Sequence, residues 1–289
     1  MRGERMNTRL AALAVVFVAL FGSVAVFGRA HADSSCDFSV RDTTMELTAD
    51  CITDVTILVP EGFTLDGAGH LITAVDPPGG HFLGAVVANA GAHANVMNLR
   101  ITASNLADVC DVYNKTAGTD FRLRGIQFKG ASGEITNNTV TDINQGAENN
   151  CREGAGIEVR NDPTDGTHPN TQTVEVSRNV VMNYQMVGIV AVGDVSVRIH
   201  HNRVSGSTGA VPASGIQLSH HAIGEISGNI ITDNWCRPVI RQQGKAIGQQ
   251  PWVAAGILLY NIEMPNIKVF NNDLRDNQIN ILVTTSASA

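Results

Sequence analysis

The sequence has few basic residues, and this shortage limits what the protein can bind. Lysine and arginine together number 20 against 27 acidic residues, so the formal charge at pH 7 is −7. A nucleic-acid partner requires a surplus of positive charge to neutralise phosphates, and the sequence has no such surplus. We therefore predict that the protein has no nucleic-acid partner.

Tryptophan and closely paired cysteines are also scarce. The sequence has only two tryptophans, Trp235 and Trp252, and both lie in the segment 235–254. None of the five cysteines forms a Cys-x-x-Cys pair, the spacing typical of structural zinc sites. The sequence therefore predicts no metal site, and it places both of its largest aromatic rings in one segment.

The first 32 residues have the pattern of a secretory signal. Three arginines precede an apolar run over residues 10–27, and Ala30-His31-Ala32 has the small-x-small pattern of a cleavage site. The run has about the minimum length that spans a membrane, so an uncleaved anchor is the alternative. Removal of residues 1–32 leaves 16 basic and 26 acidic residues, a net charge of −10. We predict a secreted protein that has no membrane span after cleavage.

A repeat organises the rest of the chain. The same frame occupies residues 188–202, GIVAVGDVSVRIHHN, and residues 215–229, GIQLSHHAIGEISGN. In both copies the asparagine stands fourteen positions after the glycine. Looser copies of the same frame occupy residues 125–138, 156–179 and 256–272. A frame that returns at a short period indicates a solenoid of stacked coils.

Apolar and polar residues alternate after the glycine of most copies. Isoleucine follows every glycine, and a second apolar residue stands two positions later. This alternation is typical of a β-strand with one buried face. Apolar positions on either side of the asparagine predict a second and a third strand in each coil. The isoleucines are Ile126, Ile157, Ile189, Ile216 and Ile257.

The asparagine that ends each copy is predicted to form an internal ladder. It lies at the corner between the second and third strands, where amides of stacked coils can bond to one another while buried. The residue before it turns the chain sharply, which favours left-handed backbone. The ladder residues are Asn138, Asn179, Asn202, Asn229 and Asn272, and Leu99 stands at the same place in an earlier coil.

The repeat also sets the predicted domain boundaries. Residues 33–55 carry no clear repeat, and we expect them to cap the first coil, whose strand edges would otherwise be open. Residues 56–283 form the predicted solenoid of about eight coils. Residues 284–289 form a C-terminal tail. The predicted fold class is all-β.

Three long insertions interrupt the frame at one corner, between the third strand of one coil and the first strand of the next. They occupy about residues 105–123, 144–155 and 235–254. Loops that extend from one corner of a regular scaffold commonly carry function. A further insertion, residues 161–173, follows a first strand and would form another wall of the same surface.

The cysteines predict two disulfides. Cys36 and Cys51 bracket the N-terminal segment and form the first predicted pair. Cys110 and Cys151 lie in successive insertions at the same corner. Adjacent coils are only about 4.8 Å apart, so these two cysteines form the second predicted pair.

Three features of the sequence resemble a known family. Residues 65–70, LDGAGH, the repeated Gly-Ile strand and the asparagine corner are similar to the right-handed parallel β-helix proteins of the pectate-lyase-like superfamily. Within it, the chain most resembles the short-repeat secreted bacterial members, over residues 55–283. The resemblance implies a right-handed parallel β-helix in which polysaccharide lies along the first-strand face, beneath the three long insertions.

The catalytic motifs of that superfamily are not intact in this sequence. Pectate lyases carry Arg-x-Pro-x-x-Arg, whereas residues 237–241 read Arg-Pro-Val-Ile-Arg, one residue short between the first arginine and the proline. The Asn-Thr-Asp, Asp-Asp and Gly-His-Gly motifs of polygalacturonase-like hydrolases are absent. This favours a secreted protein that binds polysaccharide without cleaving it, and a lyase that cleaves uronic-acid glycans by β-elimination is the alternative.

The candidate site combines the outer side chains of the first strands with the tryptophan insertion. Arginine forks bind carboxylates and aromatic rings stack on sugars, so these residues predict an anionic polysaccharide as ligand. The alternative is that the tryptophans only anchor the insertion to the solenoid. The predicted binding residues are Trp235, Arg237, Lys245, Trp252, Gln217 and Tyr260.

A lyase would need a proton acceptor and cations that bind the carboxylate of its substrate. The candidates on this face are Lys129, Glu158, Arg160 and Arg241. No cofactor is predicted for the binding protein, and calcium only for the lyase. The expected partner is a polysaccharide or a cell-surface glycan, and the protein is expected to be a monomer.

The opposite face, formed by the second strands, carries a column of charges that we interpret as structural. Glutamate and basic residues alternate in neighbouring coils, four residues before each asparagine. Such a column predicts an exposed ion-pair ladder that contributes about 0–1 kcal/mol per pair. Its members are Glu134, Glu175, Arg198, Glu225 and Lys268.

Overall fold

Successive coils of the chain supply strands to three β-sheets, and each strand lies beside its equivalent in the next coil. The computed structural model describes residues 34–103, 105–111, 113–114, 119–145, 153–161, 172–206, 208–209, 213–236, 253–262 and 266–284. All of these residues belong to the unit His31–Ala289. Across these ranges the secondary structure is strand and turn, without a helix long and apolar enough to cross a membrane.

Each sheet takes one strand from most coils, and the strands are numbered in chain order. The first-strand sheet contains β4 (Ile57–Val59), β7 (Ala85–Asn89), β12 (Arg124–Lys129), β15 (Ala155–Asn161), β18 (Val187–Gly193), β22 (Ser214–Ser219), β26 (Ala255–Tyr260) and β29 (Ile279–Thr284). The second-strand sheet contains β1 (Phe38–Arg41), β2 (Thr44–Leu47), β5 (Phe63–Asp66), β8 (His93–Met97), β13 (Ser132–Thr136), β16 (Gln172–Ser177), β19 (Val195–His200), β23 (Ile223–Ser227) and β27 (Ile267–Phe270). The third-strand sheet contains β3 (Cys51–Thr53), β6 (Leu71–Ala74), β9 (Arg100–Thr102), β14 (Thr139–Thr141), β17 (Val180–Met182), β20 (Arg203–Ser205), β24 (Ile230–Thr232) and β28 (Asp273–Arg275).

Two short ribbons lie outside the three sheets. The antiparallel ribbon pairs β10 (Tyr113–Asn114) with β11 (Thr119–Asp120). The parallel ribbon pairs β21 (Thr208–Gly209) with β25 (Trp235–Cys236). The three large sheets have eight, nine and eight strands, and their strands are parallel except where β1 meets β2. The predicted all-β parallel β-helix of about eight coils is therefore confirmed.

The N-terminal end of the solenoid differs from the prediction that residues 33–55 form a cap. Strand β2 pairs in parallel with β5, and β3 pairs in parallel with β6, so the coils begin before residue 56. Only β1 lies across the end, as an antiparallel neighbour of β2. The first coil lacks the glycine and asparagine of the later frame, which is why the repeat did not reveal it. The predicted disulfide between Cys36 and Cys51 is confirmed.

The glycine that opens each repeat is required because neighbouring backbones approach closely there. A Cβ added at Gly188 would lie 2.6 Å from the carbonyl oxygen of Gly215, and one at Gly215 would lie 2.6 Å from that of Gly256. Each added carbon would also meet a branched third-strand side chain, Val204 or Ile231. Any side chain at these positions therefore clashes, which explains the Gly-Ile pattern of the sequence.

The corner asparagines form a continuous ladder of hydrogen bonds. Each side-chain amide donates to the amide oxygen of the next, at 2.9–3.0 Å, and also donates to a backbone carbonyl. The ladder begins at Asn138, whose oxygen accepts the backbone N–H of Leu99 at 3.0 Å. Its members are Asn138, Asn179, Asn202, Asn229 and Asn272, of which the first four are buried. The amides satisfy one another, which permits their burial.

The residue before each ladder asparagine has left-handed backbone, as the sequence predicted. The arginine at this position adopts left-handed backbone, as do the asparagines, the histidine and the glycine at the equivalent positions. Left-handed backbone is unfavourable for most side chains. The φ angles are 58° at Asn137, 56° at Arg178, 55° at His201, 63° at Gly228 and 54° at Asn271.

Candidate functional site

The register of the first-strand sheet aligns the side chains of successive coils in rows. Side chains that pack in the core alternate with side chains on the other side of the sheet, which we call the outer face. Neighbouring members of a row are about 4.8 Å apart. The first row contains Gln127, Glu158, Val190, Gln217 and Leu258. The second row contains Lys129, Arg160, Val192, Ser219 and Tyr260.

The middle of the outer face is buried. Glu158 is 1% exposed and Arg160 is 9% exposed. Val190 and Val192 belong to a small apolar cluster that is separate from the main core. Partly exposed side chains remain towards the two ends of the rows: Gln127, Lys129, Gln217 and Tyr260.

Glu158 is held by two arginines and a glutamine. Its carboxylate accepts the Nε–H of Arg124 at 2.8 Å and the Nε–H of Arg160 at 3.1 Å. Gln127 donates to the same carboxylate at 2.9 Å. Burial raises the pKa of Glu158, but the charges of Arg124 and Arg160 outweigh burial, so the pKa lies below its ordinary value. The carboxylate is therefore ionised and fully engaged.

A second ion pair lies beside this one. Arg122 donates to both oxygens of Asp120, at 2.7 and 2.6 Å. Burial raises the pKa of Asp120, but the hydrogen bond from Arg122 and the charge of Arg124 lower it by more. The pKa of Asp120 therefore lies below its ordinary value. The Nη2 of Arg124 lies 3.9 Å from Asp120 Oδ2 and has no hydrogen-bond partner in the described part of the chain. One nitrogen of this buried, positively charged guanidinium thus lacks a hydrogen-bond acceptor among the described residues.

Glu153 joins the insertions to the first strands. Its two oxygens accept the backbone N–H groups of Asp111, at 2.9 Å, and Leu123, at 3.1 Å. When the Gln145 amide is oriented so that its nitrogen and its oxygen both have partners, it donates to the same carboxylate at 2.8 Å. Burial raises the pKa of Glu153, and the nearby charge of Asp111 adds to the increase. Together with Arg124, these residues extend the polar network from the outer face into the insertions.

The network ends at a half-buried histidine and aspartate. His81 Nε2 lies 3.1 and 3.0 Å from the two oxygens of Asp111. The His81 side chain is 24% exposed and that of Asp111 is 13% exposed. The pair therefore reaches the surface, unlike the enclosed Glu158.

The other end of the outer face is polar and aromatic. The rings of Tyr260 and His220 lie 5.4 Å apart and are tilted by 59°. Gln217 lies in the first row, one coil before Tyr260, and donates to Ser219 in its own coil at 3.4 Å. Rings with polar edges and side-chain amides are the groups that contact sugars in proteins.

Trp235 lies in β25 and is 45% exposed. Its Nε1–H donates to the backbone carbonyl of Asp276 at 2.6 Å, so the indole fastens the start of the insertion to the last coil. The other predicted residues of this insertion lie outside the described residues: Arg237, Arg241, Lys245 and Trp252. Cys110 is disulfide-bonded, and its predicted partner Cys151 also lies outside the described residues.

The second-strand face carries only part of the predicted ion-pair ladder. Arg198 lies 3.5 Å from Glu175, and His200 lies 3.2 Å from the same carboxylate. Glu225 accepts a hydrogen bond from Ser227 at 2.6 Å. Among the residues that the structure describes, this face and the rest of the molecule hold no group of three or more side chains suited to a metal ion.

Sequence reasoning missed several members of the charged network. Arg124 precedes a repeat glycine, at a position where the other coils have Ala155, Val187, Ser214 and Ala255. A large charged residue in a column of small and aliphatic residues was the available signal. The missed residues are His81, Asp111, Asp120, Arg122 and Arg124.

The three parallel sheets and the asparagine ladder define a parallel β-helix protein. The family model described as right handed beta helix region matches residues 119–289, and the chain belongs to this family. No curated protein gives a significant match to the sequence.

Proposed function

We propose that the protein is a secreted β-helix that binds an anionic polysaccharide along the outer face of the first-strand sheet. The observation that carries the proposal is the second row, which has Lys129 and Arg160 in adjacent coils and Tyr260 three coils further on. Equivalent positions recur at about 4.8 Å per coil, and such a linear array suits a linear polymer. Binding would take place mainly at the two partly exposed ends of the row.

The two ends of the row supply different interactions. At one end, Lys129 lies beside Arg160, above the carboxylate of Glu158. Four basic residues, Lys129, Arg160, Arg122 and Arg124, gather here in a chain whose net charge is −7. At the other end, Tyr260 and His220 offer rings and Gln217 offers an amide. The first end suits carboxylates, and the second suits sugar rings and hydroxyls.

In this proposal, Glu158 acts as a counter-ion and not as the catalytic base that the sequence suggested. Its oxygens accept hydrogen bonds from Arg124, Arg160 and Gln127, and the side chain is buried. A base must reach the proton that it removes. Glu158 instead keeps Arg160 in place beside Lys129.

Calorimetry with one uronic-acid oligosaccharide and one neutral oligosaccharide of equal length tests the binding proposal. We expect Tyr260→Ala and Lys129→Ala each to weaken binding of the acidic ligand by about 1–2 kcal/mol, through lost stacking and lost carboxylate contact. Arg198→Ala is the control, because Arg198 lies on the second-strand face. Equal affinity in all variants, or a loss confined to Arg198→Ala, would place the site elsewhere.

Two further variants and one sequencing experiment complete the test. Trp235→Ala should weaken binding only if the exposed part of its ring also meets the ligand, because its Nε1 already contacts Asp276. The predicted contacts of Arg241 with carboxylates are tested by Arg241→Ala. Secretion is tested by N-terminal sequencing of the exported protein, which should begin at Asp33.

A polysaccharide lyase is the second candidate function. It is favoured by the grouping of Arg122, Arg124 and Arg160, since positive charge stabilises the anion that forms when a proton next to a carboxylate is removed. Incubation with uronic-acid polysaccharides, with and without calcium, should then produce ultraviolet absorbance from unsaturated products. Binding without such absorbance would leave the noncatalytic function.

A further inference from the structure

We propose that His81 and Asp111 form a proton-transfer dyad that acts on an acidic polysaccharide at the insertion corner of the first-strand sheet. This inference rests on the proposed function and concerns its lyase form. It assigns the base to a residue that no motif in the sequence indicated. The ligand class is a sugar acid that carries a glycosidic oxygen on the carbon next to its acidic C–H.

The geometry of the pair leaves one imidazole nitrogen as a base. Asp111 faces His81 Nε2 with both oxygens, at 3.1 and 3.0 Å. A carboxylate at this position keeps the proton of the neutral ring on Nε2, so the lone pair lies on Nδ1. The ring is 24% exposed, which allows a ligand to approach.

Both segments of the dyad are held by other acidic side chains. Asp76 accepts the backbone N–H of Phe82 at 2.9 Å and that of Ala107 at 2.6 Å, so it fastens the neighbour of His81 to the insertion that carries Asp111. Glu153 accepts the backbone N–H of Asp111 at 2.9 Å. Among the described residues, Asp111 faces the imidazole, and Asp76 and Glu153 are the acidic groups that hold the two segments. Such anchoring fixes the orientation that proton transfer requires.

The dyad lies at the beginning of the first strands, next to the charged network. His81 precedes β7, whose first residue pairs with Arg124. The backbone N–H of Gly84 donates to the backbone carbonyl of Phe121. The backbone N–H of Arg124 donates to the backbone carbonyl of Gly84. Glu153 links Asp111 to Leu123, the neighbour of Arg124. The base and the arginines therefore belong to one polar cluster.

The reaction that this arrangement supports is β-elimination. The Nδ1 lone pair of His81 takes the proton next to the carboxylate, and the C–H electron pair becomes the new carbon–carbon double bond. The bond from the adjacent carbon to the glycosidic oxygen breaks, and its electron pair leaves with that oxygen, which water protonates. The imidazolium then returns its proton to solvent. Of the three arginines in the cluster, Arg122 has the most exposed side chain, at 17%, and its charge would stabilise the negative charge that develops on the carboxylate.

Turnover and binding are measured separately for the wild type, His81→Gln, Asp111→Asn and His93→Gln, using a set of uronic-acid polysaccharides. We expect His81→Gln to lower turnover by about 100-fold or more. Asp111→Asn should lower it by about 10-fold or more, because an amide no longer selects the productive tautomer. Affinity for the polysaccharide should change less than about twofold in both variants. His93→Gln is the matched control, because His93 is exposed on the second-strand sheet.

The pH profile separates catalysis from a structural role. A general base is inactive once it is protonated, so the turnover of the wild type should fall on the acid side, and this limb should be absent from any residual turnover of His81→Gln. Thermal unfolding shows whether each variant is folded. If His81→Gln does not fold, Asp111→Asn still tests the dyad, because it retains the shape of the pair. Full turnover in His81→Gln, or binding by the wild type without unsaturated product from any polymer, would overturn the dyad. The second result would leave the binding function intact, whereas loss of all binding would remove both.

Discussion

The Glu158 carboxylate shows how strongly one side chain can depend on its neighbours. It is buried between Arg124 and Arg160. We expect Glu158→Gln to lower the free energy of unfolding by about 3–5 kcal/mol, because two buried arginines lose their counter-charge. Urea unfolding at pH 7 measures this loss. Glu175→Gln, which affects a more exposed pair with Arg198, should cost only about 0–1 kcal/mol. Equal losses in the two variants would contradict the buried cluster.

The same carboxylate makes stability depend on pH. The pKa of Glu158 lies below its ordinary value of 4.5 in the folded protein. Its contribution to stability is therefore present above pH 4.5 and is lost as the pH falls towards the folded pKa. The stability difference between the wild type and Glu158→Gln should shrink as the pH is lowered below 4.5 in urea titrations. A difference that grows on acidification would show that the pKa is raised instead.

Buried amides of the corner ladder make a comparable contribution. Asn202 donates to Asn229 and Val176, and its oxygen accepts hydrogen bonds from the backbone N–H and the side chain of Asn179. Asn202→Leu should therefore lower stability by about 1–3 kcal/mol, since these partners would lose their bonds without access to water. Denaturant unfolding measures the effect. Asn280→Leu, at an exposed position of β29, is the control and should change stability by less than about 0.5 kcal/mol.

At the scale of the strand, the repeat glycines set how closely coils can stack. A Cβ at Gly215 would lie 2.6 Å from the carbonyl oxygen of Gly256. Gly215→Ala should therefore destabilise the fold by about 1–3 kcal/mol through overpacking. Gly80→Ala is the control, because the nearest atom to its added Cβ is Pro77 Cγ at 3.3 Å, on an exposed turn. Thermal unfolding of the two variants gives the comparison, and an unaffected Gly215→Ala would show that the coils can separate.

The elements that a single sequence predicts are those whose contacts recur at a fixed spacing. The residues Gly215 and Asn229 mark a close backbone approach and a hydrogen bond that recur in the five copies of the frame, so the strands and the ladder of these coils could be predicted. Strands β2 and β3 stack in the same way but lack both residues. The sequence therefore placed them in a cap.

The candidate site was harder to predict because its contacts do not repeat. Glu158 and Arg160 were assigned correctly to the first-strand sheet, but their burial depends on segments packed over one part of it. His81 and Asp111 are thirty residues apart and meet only because an insertion folds back to the start of β7. No periodic pattern records such a contact.

At the scale of the whole solenoid, the two ends of the described chain differ. At the N-terminal end, β1 lies across β2 and the disulfide between Cys36 and Cys51 closes the first coil. At the other end, β27, β28 and β29 are the edges of their sheets. Core-facing positions of this last coil are partly exposed, among them Ile281 and Val283. A stack in which each coil contacts only its neighbours should therefore be least stable at this end.

A matched pair of isoleucines tests this gradient. Ile257 and Ile281 are register partners in adjacent coils, but Ile257 is fully buried and Ile281 is 45% exposed. Ile257→Ala should lower the free energy of unfolding by about 2–5 kcal/mol, because it leaves a cavity between two coils. Ile281→Ala removes the same atoms from a side chain that is covered on one side only, so its cost should stay below about 1.5 kcal/mol. Denaturant unfolding of both variants at several protein concentrations gives the comparison. A cost for Ile281→Ala that equals that of Ile257→Ala and grows with concentration would show that a second molecule covers the last coil, against the expected monomer.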